Sequence, residues 1–175
     1  MSKDKDYTFN PGDYVVYPAH GVGQVSDITS TSVGGQELEL IAVSFNKDKL
    51  VLKIPMSNAE KTGLRQIASP NTMTEAESVL KSKAKVRRIQ WNRRAQEYDQ
   101  KIKSGNPVAI AEVIRDVYKH PTRGEQTYSE RQIYEQAMGR LAAEYATINN
   151  INEKDAMGHL ENILFSKIPT TTETL

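Results

Sequence analysis

The sequence predicts an α+β protein of two domains, in which a small antiparallel β-sheet is followed by a compact bundle of about five helices. In roughly the first sixty residues, apolar side chains form short, partly alternating runs separated by glycine, proline, asparagine and aspartate, as is typical of strands and turns. From Thr72 onward the apolar residues recur with helical spacing. The change of period places the boundary between the two domains near residues 68–72.

Four strong strand segments are separated by turn residues in the first half. They read DYVVY, GQVSDI, ELELIAVSF and KLVLKIP, with turns at 10–12, 19–23, 33–35 and 46–49. Four or five such strands predict a small sheet or half-open barrel. In the third segment, alternation places Leu38, Leu40 and Ala42 on one face and Glu37, Glu39 and Ile41 on the other. One face is expected to form the core, and the other to meet water or a partner.

Helix start signals divide the second half. Thr72 with Glu75 and Ser129 with Gln132 have capping-box spacing, Asn106 precedes Pro107, and Asn152 precedes an apolar-periodic segment. The predicted organisation is a β domain over 7–67, a linker over 68–73, a helical domain over 74–168 and a disordered tail over 169–175.

Composition narrows the classes of function. The chain contains no cysteine, which excludes disulfides and thiolate metal sites. Its three histidines, His20, His120 and His159, lack the spacing of metal ligands. Gly21 and Gly23 fit a hairpin turn better than a phosphate loop. We therefore predict no catalytic, cofactor or metal site and no enzymatic activity. We also predict a monomeric, cytoplasmic protein without a membrane span.

Positive charge is concentrated in the middle of the chain. The formal net charge is only +1, but the segment from Lys81 to Arg94 contains seven basic residues and no acidic one. The sole tryptophan, Trp91, lies within it in the sequence RRIQWNRR. Helical spacing with Ala95, Tyr98 and Ile102 favours a buried ring. Basic residues around an aromatic ring are also what a nucleic-acid contact requires, since cations neutralise phosphates while the ring wedges or stacks.

Both interpretations of the tryptophan remain open from the residues alone, as do a protein-interaction adaptor and an RNA-binding module. The predicted DNA-contacting residues are Trp91, Arg93, Arg94, Arg87, Arg88 and Lys85.

The chain resembles the CarD family of bacterial RNA-polymerase-binding transcription regulators, including its CdnL-type members, over about residues 9–165. The motifs that carry this resemblance are PGDYVVYPAHGVGQV, LKIPMSNAEKTGLR, QWNRRAQEYDQKIKSG and AEVIRDVYKH. The first half also resembles the polymerase-interacting module of the transcription-repair coupling factor.

The resemblance implies a Tudor-like domain that pairs an exposed strand with the RNA polymerase β subunit. It assigns polymerase binding to Ser30, Thr31, Ser32, Val33 and Lys53; some relatives carry an arginine at the position of Thr31. It further implies a helical domain that binds promoter DNA largely independently of sequence. There, Trp91 would wedge into the minor groove at the upstream edge of the transcription bubble, with Arg93 beside it, and stabilise the open complex.

Overall fold

The computed structural model describes residues 9–167, and the chain divides into two compact units between Ile67 and Ala68. Residues 7 and 8 of the predicted β domain lie outside the described residues. The same holds for residue 168 and for the tail over 169–175, which was predicted to be disordered.

The first unit is built on a five-stranded antiparallel sheet, which confirms the predicted fold class. The strands are β1 (Tyr14–Tyr17), β2 (Gly21–Val33), β3 (Gln36–Phe45), β4 (Leu50–Pro55) and β5 (Arg65–Gln66). A short helix, α1 (Met56–Ala59), connects β4 to β5. The strand order is β4-β3-β2-β1-β5, so β4 and β5 are the edge strands. Gly34 and Gly35 have φ of 60° and 81°, which allows the tight turn between β2 and β3.

One face of the sheet carries the hydrophobic core of this unit. Ile41, Val43 and Phe45 of β3 point inward and are at most 1% exposed, together with partners from the neighbouring strands. Because side chains alternate along a strand, Leu38 and Leu40 lie on the opposite face, where they are only half-buried. The apolar outer face is therefore the one that contains the two leucines.

The second unit is a helical bundle. Its α-helices are α2 (Pro70–Lys81), α3 (Trp91–Lys103), α4 (Pro107–Val117), α5 (Tyr128–Asn149) and α6 (Glu153–Phe165), with a short 3₁₀ helix at Pro121–Arg123. Ile102, Ile114, Leu141 and Leu160 from four of these helices are fully buried in one core. The five described helices match the number predicted.

Two helix starts differ from prediction. Ser69, not Thr72, caps α2: its hydroxyl accepts a hydrogen bond from the Thr72 N–H at 3.2 Å, and Pro70 occupies the first helical position. Residues 70–73, predicted as linker, are thus the first turn of α2. Thr127, not Ser129, caps α5 through the Glu130 N–H. The predicted caps at Asn106 and Asn152 are confirmed.

Candidate nucleic-acid interface

A basic loop connects α2 to α3. We define it as residues 82–90, which lack regular secondary structure. Lys83, Lys85, Arg87 and Arg88 all expose their side chains here. Arg87 donates to the Glu97 carboxylate of α3 at 2.7 Å, with its own side chain still 68% exposed. The loop therefore presents several cations to solvent next to the start of α3.

Two buried charged residues of α4 hold this loop in place. The Asp116 carboxylate accepts hydrogen bonds from the backbone N–H of Lys85 and from the Arg115 Nε, both at 2.9 Å. Arg115 also donates from Nη1 to the Ser82 hydroxyl at 3.1 Å. The Arg115 and Asp116 side chains are 8% and 5% exposed. Since a buried ion pair needs further hydrogen bonds to offset its desolvation, these contacts bind the loop firmly to α4.

Trp91 is the first residue of α3. Its ring is half-buried and packs on the edge of the helical core, in an edge-on contact with Tyr98 at 6.3 Å between centroids. The side chain is thus neither the exposed ring nor the fully buried core residue that the sequence left open. One part of the ring is anchored, and another part meets solvent beside the basic loop.

The two arginines after Trp91 occupy different environments, although both were predicted to contact phosphates. Arg93 is exposed. The Arg94 guanidinium lies 5.3 Å from the Trp91 ring centroid and 5.8 Å from that of Tyr98, and its Nη2 donates to the Tyr98 hydroxyl at 3.3 Å. Its Nε is buried and has no hydrogen-bond partner among residues 9–167. Arg94 therefore packs against both aromatic rings. The prediction that Arg94 contacts phosphate did not include these ring contacts.

The segment assigned to polymerase binding lies on an open part of β2. From Asp27 to Val33, β2 pairs with β3 on one side, whereas β1 pairs only with residues 21–24. No other strand in the described residues pairs with this stretch. An irregularity between Val25 and Asp27 separates it from the paired part of β2. Residues 30–33 thus lie on a strand edge with free main-chain groups, the feature that strand addition requires.

Lys53 lies two strands away from that segment, on the edge strand β4. It is opposite Ala42 of β3, which is opposite Asp27 of β2. Paired residues of antiparallel strands project to the same face, so Lys53 shares the outer face with Thr31 and Val33. Val33 is 59% exposed and Val51, on the same face of β4, is 55% exposed. Thr31, Val33 and Lys53 therefore belong to one exposed, partly apolar surface with a cation at its side, whereas Ser30 and Ser32 project to the opposite face.

The Arg115–Asp116 pair was missed from sequence, although a signal was present. Both residues stand in a helix whose neighbours Val113, Ile114 and Val117 are apolar and buried. Adjacent opposite charges inside such a segment indicate a buried ion pair, because isolated charges there would be strongly unfavourable. The partner segment could not be found this way, since the contact spans 31 residues.

Metal-binding clusters and membrane spans are not evident in residues 9–167. Within that range, no group of three or more histidine and acidic side chains is arranged to hold a metal ion. No helix in the described part of the chain is long and apolar enough to span a membrane.

Comparison with known proteins identifies the family. Residues 9–68 match the CarD-like/TRCF RID domain model and residues 75–161 match the model of the CarD C-terminal domain. A candidate transcription factor of Bacillus subtilis (strain 168), YdeB, is 24% identical over 146 residues, covering 83% of this chain and 95% of that protein. The solution structure of the 72-residue N-terminal domain of Myxococcus xanthus CarD is 35% identical, covering 35% of this chain and 83% of that domain, with a TM-score of 0.31. With both domain models matched in order along it, the chain belongs to the CarD family of transcription regulators.

Proposed function

We propose that this protein bridges RNA polymerase and promoter DNA without enzymatic activity, and that it stabilises the open promoter complex. The sheet unit would bind the β subunit of the polymerase, and the helical unit would bind DNA at the upstream edge of the transcription bubble. The observation that carries this proposal is the position of Trp91. Its partly exposed ring begins α3 beside the basic loop and is supported from behind by Arg94 and Tyr98.

The proposed wedge role follows from that support. A ring that inserts at a base step must resist the stacking energy of the step, so a freely rotating side chain is poorly suited to it. Packing against Tyr98 and the Arg94 guanidinium limits the motion of Trp91. Arg93 and the exposed cations of the basic loop would contact the phosphates on either side.

Polymerase binding is proposed for the open stretch of β2. Strand addition at residues 30–33 would supply main-chain hydrogen bonds, while the outer face, with Val33 and Val51, would bury apolar surface. Lys53 would add a charged contact at the side of this surface. The match of this unit to the CarD-like/TRCF RID model supports interaction with RNA polymerase.

The two activities together explain how weak DNA contacts can regulate transcription. Non-specific DNA binding at physiological salt has dissociation constants of about 10⁻⁴–10⁻⁶ M. Tethering to polymerase raises the local concentration to the order of mM, so the DNA contacts are occupied where polymerase is bound. A stacked or inserted ring that contributes about 1–3 kcal/mol to the open state alone changes its lifetime by about fivefold to over a hundredfold.

The decisive experiment measures open-complex lifetime with purified polymerase. Trp91→Ala is expected to shorten the lifetime by about fivefold or more while polymerase binding is retained. Lys53→Glu is expected to weaken polymerase association and leave binding to forked DNA unchanged. Lys61→Glu, an equal charge change at an exposed position of the same unit, is the matched control. An unchanged lifetime with Trp91→Ala would exclude the wedge role, and preference for single-stranded RNA over forked DNA would favour an RNA-binding module.

A further inference from the structure

A cleft of about 810 Å³ lies within the helical unit, next to the basic loop. It is lined by the end of α2 and the start of the loop, by the last residues of α4 and the segment after it, and by residues at the end of α6 and just beyond. Ligand-binding clefts commonly have volumes of about 300–1,000 Å³. The cleft is therefore large enough to hold a small organic or inorganic ligand.

The side chains around this cleft carry an excess of positive charge. The basic ones are Lys81, Lys83, Arg94, Arg115, Lys119, Arg123 and Lys167, in addition to His120. The acidic ones are Asp116 and Glu130. Asp116 pairs with Arg115 and Glu130 pairs with Lys119, so each carboxylate is already matched by one cation. Even with Arg123 left aside, Lys81, Lys83, Arg94 and Lys167 give the lining an excess of positive charge.

The environment of Lys167 reflects this excess. Burial lowers the pKa of its ammonium group, the nearby Arg115 guanidinium lowers it further, and Asp116 acts in the opposite direction. A partly desolvated lysine beside a buried arginine gains from an anion placed close to both, because the anion reduces the repulsion between them.

We propose that the cleft binds a small anion that carries several phosphate groups. Phosphate oxygens accept charge-assisted hydrogen bonds from lysine and arginine, and a chain of phosphates can contact several cations of a concave site at once. Lys167 is half-buried, so part of the excess positive charge lies below the protein surface. The convex backbone of a DNA duplex would contact the exposed rim, whereas a small polyphosphate can enter the cleft.

Arg94 connects this cleft to the candidate DNA-binding residues. It lines the cleft and also lies over the Trp91 ring at 5.3 Å. Since Trp91 is the only tryptophan in the chain, its fluorescence reports on this neighbourhood alone. Occupation of the cleft is therefore expected to change the Trp91 emission.

The test is isothermal titration calorimetry of the full-length protein at constant ionic strength, without divalent cations. The probes are inorganic tripolyphosphate and ATP, and the tighter of the two identifies whether the phosphates belong to an inorganic chain or to a nucleotide. We expect one saturable site, with Lys167→Gln and Lys81→Gln each weakening binding about tenfold. Lys154→Gln, the same change at an exposed position of α6 outside the cleft, serves as the matched control and is expected to bind normally.

Three results would overturn the proposal. One is the absence of saturable binding for both probes, and another is an equal loss of binding in Lys154→Gln. The third is a Lys167→Gln variant that loses affinity for forked DNA by the same factor as for tripolyphosphate, because the cleft would then be part of the DNA-binding surface. None of these outcomes depends on open-complex lifetime, so the phosphate site and the proposed function are tested separately.

Discussion

The Asp116 carboxylate accepts a hydrogen bond from the backbone N–H of Lys85 at 2.9 Å, across 31 residues of sequence. The same oxygen accepts from Arg115, whose guanidinium also reaches Ser82. One buried ion pair thus fixes both the first residue and the middle of the basic loop. The exposed cations of the loop are held in place by two charges that are themselves almost entirely buried.

Removal of the Asp116 charge is the first test of this arrangement. Asp116→Asn leaves the buried Arg115 without its counter-charge, and the loss of one partner of a buried pair costs about 3–5 kcal/mol. We expect a loss of that size in the free energy of unfolding, measured by chemical denaturation with Trp91 fluorescence as the probe. We also expect the affinity for forked DNA to fall. The control is Asp99→Asn, which removes the ion-pair partner of Lys103. Because the Asp99 side chain is 47% exposed, this change should lower the free energy of unfolding by at most about 1 kcal/mol. Similar stabilities of the two variants would contradict the anchoring role.

The arginines at 93 and 94 should behave differently when each is changed to glutamine. Arg93 is exposed, so Arg93→Gln should lower the salt dependence of DNA binding by about one phosphate contact and leave Trp91 fluorescence unchanged. Arg94 lies over the Trp91 and Tyr98 rings, so Arg94→Gln should shift the Trp91 emission and reduce stability by about 0.5–2 kcal/mol. The assignment fails if Arg93→Gln, and not Arg94→Gln, changes the emission.

Replacement of glycine by alanine should have opposite effects on stability at two positions, Gly23 and Gly139. A Cβ at Gly23 would lie 2.7 Å from Val43 Cγ1 and 2.8 Å from Phe45 Cε1, so Gly23→Ala should destabilise the sheet unit by about 1–3 kcal/mol through overpacking. Gly139 lies within α5, and a Cβ added there would point into open space, so Gly139→Ala should stabilise the helical unit by up to about 1 kcal/mol. Thermal unfolding measured by circular dichroism checks the first variant, and Trp91 fluorescence checks the second. Equal signs for the two changes would contradict the packing described.

The sequence predicted the two units well because their signals are local. Strand alternation and helical seams depend on neighbouring residues, and Asn106 with Pro107 defines a helix start by itself. The start of α2 was misplaced because Ser69 and Thr72 are both good caps, and Pro70 after Ser69 was the signal that distinguished them. The site was predicted only in part. The contacts of Arg94 with two rings depend on its rotamer, and the contact between Asp116 and Lys85 depends on tertiary structure.

The pH dependence of the helical unit should show a loss of stability in alkali. Burial, and after it the nearby Glu161 carboxylate, raise the pKa of Tyr134 well above its ordinary value. The same two causes raise the pKa of Tyr118, whose ring centroid lies 6.2 Å from that of Tyr134. A phenol with a raised pKa in the folded state keeps its proton where the unfolded chain releases it. Its contribution to stability is therefore complete below about pH 10 and is lost as the pH rises from there towards the folded pKa.

Tyr134→Phe removes one of these phenols and should make the free energy of unfolding fall less steeply above about pH 10. Tyr128→Phe changes a tyrosine of the same helix that is 76% exposed, and it should leave the slope as in the wild-type protein. Urea unfolding followed by Trp91 fluorescence at a series of alkaline pH values measures both. If the two variants lose stability with the same slope, the burial of Tyr134 is not what makes the helical unit sensitive to alkali.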